Sequence, residues 1–182
     1  MHERFIINVV KNIDAQLDTI GLETGKTGQF ARDLEWLGSG RIFLAPKLST
    51  REPDTSFRHV DAEYPGVVIE VSYSQKRKDL PRLADSFLLD SNGSTRVFIE
   101  IDIEYRGSHK ATVSIWRPKY IWNEEQEVLE FRAVQTAQEE VCDSILINLT
   151  LTEQFRCSAT KMALHQAHLV YVYNFKTSPT KS

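Results

Sequence analysis

Pro65-Gly66-Val67-Val68-Ile69-Glu70-Val71-Ser72-Tyr73 is a run of apolar, β-branched residues opened by a turn pair and interrupted by one carboxylate. Its composition predicts a buried strand. Glu70 has no place there on packing grounds, because an ionised carboxylate removed from water is costly unless it is paired or bound to a cation. On a period-two strand Val68, Glu70 and Ser72 share one face, and Val67, Ile69, Val71 and Tyr73 share the other. Glu70 therefore takes either a basic partner from a neighbouring element or a metal ion, and residue 72 points the same way.

A second acid stands 16 positions upstream, in Pro53-Asp54-Thr55-Ser56-Phe57. Pro-Asp, a spacer, then an apolar strand carrying Glu resembles the signature of the PD-(D/E)XK nuclease superfamily over roughly residues 35 to 118. It looks closer to the restriction-endonuclease-like proteins that have a Glu-Val-Ser element followed by a polar helix than to the well-known restriction enzymes. The resemblance implies an α/β (α+β) fold with a restriction-endonuclease-like central mixed β-sheet flanked by helices, and both acids at the mouth of a bent sheet. Carried over by position, Asp54 and Glu70 are the metal ligands and the lysine of the pattern falls at residue 72, which here is serine. A hydroxyl cannot bring positive charge to a developing oxyanion.

If a cation is needed, Gln75, Lys76 and Lys78 are nearest, since a residue at the start of the following helix reaches back over the strand end. Gln75 is the first choice and Lys78 the second. The bland account makes Lys76-Arg77-Lys78 a solvated loop, although positive residues at a helix start oppose the helix dipole. The function implied is a metal-dependent nuclease hydrolysing DNA phosphodiester bonds, with Asp54, Glu70, Gln75 and Lys78 as its catalytic set. Hard oxygen ligands favour Mg²⁺ or Mn²⁺ over zinc. The alternative is a catalytically inactive nuclease-fold protein, a binding or scaffold module in which Ser72 records loss of the lysine. A homodimer would likewise come from the superfamily alone.

At 182 residues, with 41% hydrophobic and 26% charged content, the chain fits one soluble domain with a sizeable core. Residues 1–34 read as an N-terminal helix and loop, 35–135 as the nuclease-like core and 136–182 as a C-terminal extension. A net charge of −3 argues against a protein that coats nucleic acid non-specifically, and leaves room for a local basic patch. The N-terminus lacks the apolar core of a signal peptide, and no run approaches the ~18 apolar residues of a membrane span. The expectation is an intracellular protein, cytoplasmic or nuclear, with no membrane partner. Cys142 and Cys157 fit a reducing compartment and define neither a disulfide framework nor a zinc site.

Outward from the Glu70 strand, Phe5, Ile6, Val9, Val10, Ile13, Leu17 and Ile20 keep helical spacing, with Asp14 and Asp18 on another face and Gly21 as the stop. Arg41 to Ala45 reads as a short strand ended by Pro46. Residues 75–89 form a helix closed by Asn92-Gly93, and residues 96–105 return as a strand. That order favours a parallel pair with a right-handed crossover. Lys110 to Trp116 and Val128 to Val134 alternate as antiparallel additions, with Pro118 and Asn123-Glu124-Glu125 between them. Ile145 to Leu151 reads equally as a strand or a helix start.

Other constellations carry less. Glu100, Asp102 and Glu104 share one strand face; they supply extra ligands beside the site, or else face solvent or Arg106, Lys110 and Arg117, and the second reading is favoured. Gly21-Leu22-Glu23-Thr24-Gly25-Lys26-Thr27 has three residues between its glycines where a P-loop needs four, and follows a helix where a P-loop follows a strand. His165 and His168 stand three apart without a third metal ligand in view. His59 and His109 are candidate bases or plain surface histidines. Trp36, Trp116 and Trp122 read as core or partly buried aromatics rather than stacking platforms.

Overall fold

The computed structural model describes residues 2–44, 49–73, 80–104 and 110–141. Gln75, Lys78, His109, both cysteines, His165, His168 and the Ile145 to Leu151 stretch lie outside the described residues. Within them the chain is a mixed α/β structure. The first helix, α1, spans His2–Gly21, followed by α2 at Lys26–Arg32. The strands are β1 Leu34–Trp36, β2 Ile42–Leu44, β3 Ser49–Arg51, β4 Thr55–His59 and β5 Val67–Tyr73. Then come α3 Leu80–Leu89, β6 Val97–Ile103, β7 Ala111–Asn123 and β8 Val128–Val141.

Among the described residues one six-stranded sheet runs in the order β1-β4-β5-β6-β7-β8, and β2 with β3 forms a separate hairpin. β5 and β6 are parallel and the other neighbours antiparallel. The expected strand, crossover helix and parallel strand are therefore present.

Period-two alternation distributes the sheet between two cores. On one face Phe57, Val67, Ile69, Val71, Ile99, Ile101 and Val113 pack against Val9, Val10, Ile13 and Leu17 of α1 and Ala31 of α2. On the other, Val68 and Phe98 meet Ala84, Phe87 and Leu88 of α3 and Ile42 and Leu44 of β2. Phe87 stacks on Phe98 at 5.6 Å between ring centroids. Arg51 ties the hairpin to α3, its Nε donating to Ser86 Oγ at 3.0 Å.

The turn after α3 is closed by Asn92 and Gly93 at φ 52° and 70°. The Gly93 N–H donates to the Leu88 carbonyl at 2.9 Å, and a Cβ on Gly93 would stand 2.6 Å from Phe131 Cζ.

Several expectations are corrected. Residues 1–34 hold two helices: α2 was masked by Gly28, whose missing Cβ lets its backbone press on the Glu23 carbonyl. The sheet begins at Leu34 and runs past residue 135 to Val141. Pro118 does not end β7, which continues to Asn123. β6 stops pairing at Phe98 opposite Trp116, so beyond that point β7 borders only β8 among the described residues, and a residue without an N–H is tolerated on the open side. Trp36 and Trp122 are 52% and 58% exposed, since each lies near the end of a strand beyond either core. No helix among the described residues is long and apolar enough to cross a membrane.

Candidate functional site

The face of the sheet that carries α3 changes character along its strands. Val68, Phe98 and Trp116 are aligned across β5, β6 and β7 and form the apolar row under α3. The next row is Glu70, Glu100, Ser114 and Gln138, and the one after it Ser72, Asp102, Thr112 and Glu140. The alternation of each strand thus continues unbroken while the inward side chains turn from hydrocarbon to oxygen.

The opening of this face has a structural cause. β4 pairs with β5 only as far as Thr55 opposite Ile69. Beyond that register the β5 backbone has no neighbouring strand on the β4 side among the described residues, and Asp54 supplies an acceptor there: its Oδ2 takes the Val71 N–H at 2.7 Å. Thr55 is held in turn, its Oγ1 accepting the Trp36 indole N–H at 2.7 Å. Asp54 therefore sits at the residue between Glu70 and Ser72. An acid 16 positions upstream thus reaches the backbone of the residue next to Glu70.

Glu70 is partly buried and engaged by other groups. Ser72 Oγ lies 3.1 Å from Glu100 Oε1 and 3.3 Å from Asp102 Oδ1. Its single proton serves one of these acceptors at a time. Glu100 and Asp102 are only 1% and 3% exposed, so of the two structural alternatives, solvent or a basic neighbour, solvent is excluded for these two acids. Leu80 and Pro81 of α3 and Gln135 and Gln138 of β8 stand around them. With Thr112, Ser114, Trp116 and Gln138 these acids line a cavity of about 200 Å³ beside Leu80 and Pro81 at the start of α3. Among the described residues no group of three or more His, Cys, Asp or Glu side chains is arranged to hold a metal ion.

His59 belongs elsewhere. It lies on the α1 face of β4, stacked on Phe30 at 5.0 Å between ring centroids and 7% exposed. Its Nδ1 accepts the Asp61 N–H at 3.2 Å, leaving Nε2 toward Asp33 Oδ2 at 3.8 Å. That is a satisfied structural histidine on the opposite side of the sheet from Glu70. Glu35 is likewise removed from the site, bonded to Arg58 at 3.3 Å.

The Val71 hydrogen bond places Asp54 beside the stretch of β5 that carries Glu70 and Ser72. The part that sequence reasoning underrated is Glu100 and Asp102, with Thr112 and Ser114 beside them. The signal was available: an acid at every second position of a β-branched strand is costly on any buried face. Comparison with protein-family models, with curated proteins and with solved structures finds no match to this chain.

Proposed function

We propose that the chain is a divalent-cation-dependent phosphodiesterase of the restriction-endonuclease-like fold, acting on DNA, with Asp54 and Glu70 as ligands of Mg²⁺ or Mn²⁺. The observation that carries the reading is the Asp54 to Val71 hydrogen bond of 2.7 Å, which brings this acid to the stretch of β5 that carries Glu70. A mixed sheet with helices against both faces supports the same fold.

The donor set fits the ion in kind. Carboxylate oxygens and hydroxyls suit Mg²⁺ or Mn²⁺, and Mg²⁺ commonly takes one or two protein carboxylates, keeping waters and substrate phosphates for its other positions. When bound, such an ion supplies an activated water and charge compensation at the phosphate. The protein's own contribution is orientation: the Val71 N–H fixes Asp54, and the β5 pleat aims Glu70 to the α3 face. Gln75 or Lys78 takes the part of the absent motif lysine.

The test is cleavage of supercoiled and single-stranded DNA with Mn²⁺ or Mg²⁺, run beside Glu70→Ala and an EDTA control. Metal-dependent nicking that disappears in Glu70→Ala is the expected result. Full-rate cleavage by Glu70→Ala overturns the ligand assignment.

A non-catalytic binding or scaffold protein is the second reading, and Ser72 favours it. Its hydroxyl is engaged by Glu100 and Asp102, so the position that carries a lysine in the motif serves here to satisfy buried acids. No cleavage together with no metal-induced rise in melting temperature selects this reading.

A further inference from the structure

We propose that a second cavity on the same side of the sheet holds a segment of single-stranded nucleic acid, its phosphate on Arg41 and Arg58 and a base on Phe43. This rests on the phosphodiesterase reading and names how the substrate strand is anchored beside the carboxylates.

The cavity measures about 370 Å³ and lies between β2, β4 and the segment leading into β5, a size within the usual range for ligand pockets. Arg41, Phe43, Arg58 and Tyr64 line it, with Glu63 as its acidic member. Phe43 is 70% exposed because Ile42 and Leu44, its neighbours on β2, turn inward to the core. An aromatic ring held out on a short strand beside two guanidinium groups is the pairing that stacks a base and takes a phosphate.

Both arginines are available to a phosphate. Arg41 pairs with Glu52 at 2.7 Å, but these side chains are 61% and 57% exposed, and exposed pairs contribute little. Arg58 meets Glu35 at 3.3 Å through one nitrogen, while its Nε–H, shielded from solvent, has no acceptor among the described residues. A charged donor left in that state is unfavourable, and a modest turn of the guanidinium toward a phosphate would relieve it.

Position links the cavity to the acids. Ser56 is paired with Val68, so Arg58 stands on the same face as Glu70. Phe57 is paired with Val67, so Arg58 and Glu70 are separated by about 13 Å at ~3.3 Å per strand residue. Val68 and the α3 and β2 residues packed on it lie between the two, so the ~13 Å is the least that a strand passing over them must span, about four nucleotide steps or more at the ~3.4 Å rise of one strand in a duplex.

The experiment is fluorescence anisotropy of a labelled oligothymidylate with the full chain in EDTA, so that binding is read without cleavage. Arg41→Ala and Phe43→Ala alter exposed side chains and leave the core intact; Arg58→Ala is included with a melting curve as a check on folding. Each variant is expected to weaken binding by about tenfold, and each arginine to lower the slope of log affinity against log salt by ~1. Unchanged affinity in Arg41→Ala and Phe43→Ala, or no binding by the wild type, overturns the proposal. So does equal affinity for a polyglutamate peptide, which would make the cavity a general anion site. Binding that depends on these residues without cleavage under any metal removes the phosphodiesterase reading alone, and cleavage indifferent to them removes the anchor alone.

Discussion

Asp54 has two separable roles in this account, and the variants Asp54→Ala and Asp54→Asn divide them. The first is structural. Val71 is 7% exposed and its N–H donates to Asp54 Oδ2 at 2.7 Å. A hydrogen bond to a charged acceptor contributes about 1.5–3 kcal/mol, and truncation also leaves the buried N–H unsatisfied. Asp54 is partly exposed, so the lower end applies. At ~2–4 °C per kcal/mol for a domain of this size, Asp54→Ala should lower the melting temperature by about 3–6 °C in EDTA. Asparagine keeps an oxygen in the same place, so Asp54→Asn should lose less than half as much.

The second role is electrostatic. A ligand present at about 100 times its dissociation constant stabilises the folded state by ~2.7 kcal/mol, or about 5–11 °C here on the same conversion. Calorimetric melting in EDTA and in Mn²⁺ reads both quantities from one sample. Wild type should gain that rise and both variants should lose it, Asp54→Asn while remaining nearly as stable as wild type in EDTA. A full Mn²⁺ shift in Asp54→Asn removes Asp54 from the metal site. An unchanged EDTA melting temperature in Asp54→Ala refutes the claim that this side chain closes the β5 edge.

Two further outcomes follow from the geometry. Gly93→Ala should cost about 2–3 kcal/mol in a denaturant titration, since a left-handed residue with a Cβ is disfavoured by ~1–2 kcal/mol and the new atom meets the Phe131 ring; in a Phe131→Ala background the steric share should vanish. Asp14 has its pKa raised by desolvation on α1 and then by Asp18, so its contribution to stability is full below the unfolded value and is lost as pH rises through the folded one. Asp14→Asn should therefore be the more stable protein at neutral pH and lose that advantage below its ordinary value of 3.8, as chemical denaturation at neutral and acid pH would record.

The elements that were legible in the sequence are those whose burial follows one period over many residues. α1 repeats Val9, Val10, Ile13, Leu17 and Ile20 on one side, and β5 and β6 present Val67, Ile69, Val71, Val97, Ile99 and Ile101 to it. What escaped was short or depended on tertiary context. β1 has three residues, and α2 has seven with a glycine inside, too few for a period to emerge. Pro118 reads as a break because its tolerance comes from β6 ending opposite Trp116, which no local pattern records. At the site, the Asp54 and Glu70 pair was visible as spacing, but the burial of Glu100 and Asp102 comes with α3 and β8 residues standing around them. Alternation told which residues share a face; it could not tell which part of that face a short helix covers.

That division of the face bears on what Glu100 and Asp102 are for. Replacing buried ionic groups by apolar residues of similar size is often neutral or stabilising, and the row beside them already shows the apolar solution in Val68, Phe98 and Trp116. Valine or threonine at positions 100 and 102 would extend that packing and leave Ser72 with nothing to serve. The chain instead places carboxylates in the two rows next to the Asp54 anchor, engages a serine hydroxyl with them, and keeps a cavity of about 200 Å³ open at the start of α3. Stability does not ask for that arrangement. On the proposed reading that face meets a charged ligand, and the acids of β6 stand in the same two rows as Glu70 and Ser72, next to Asp54.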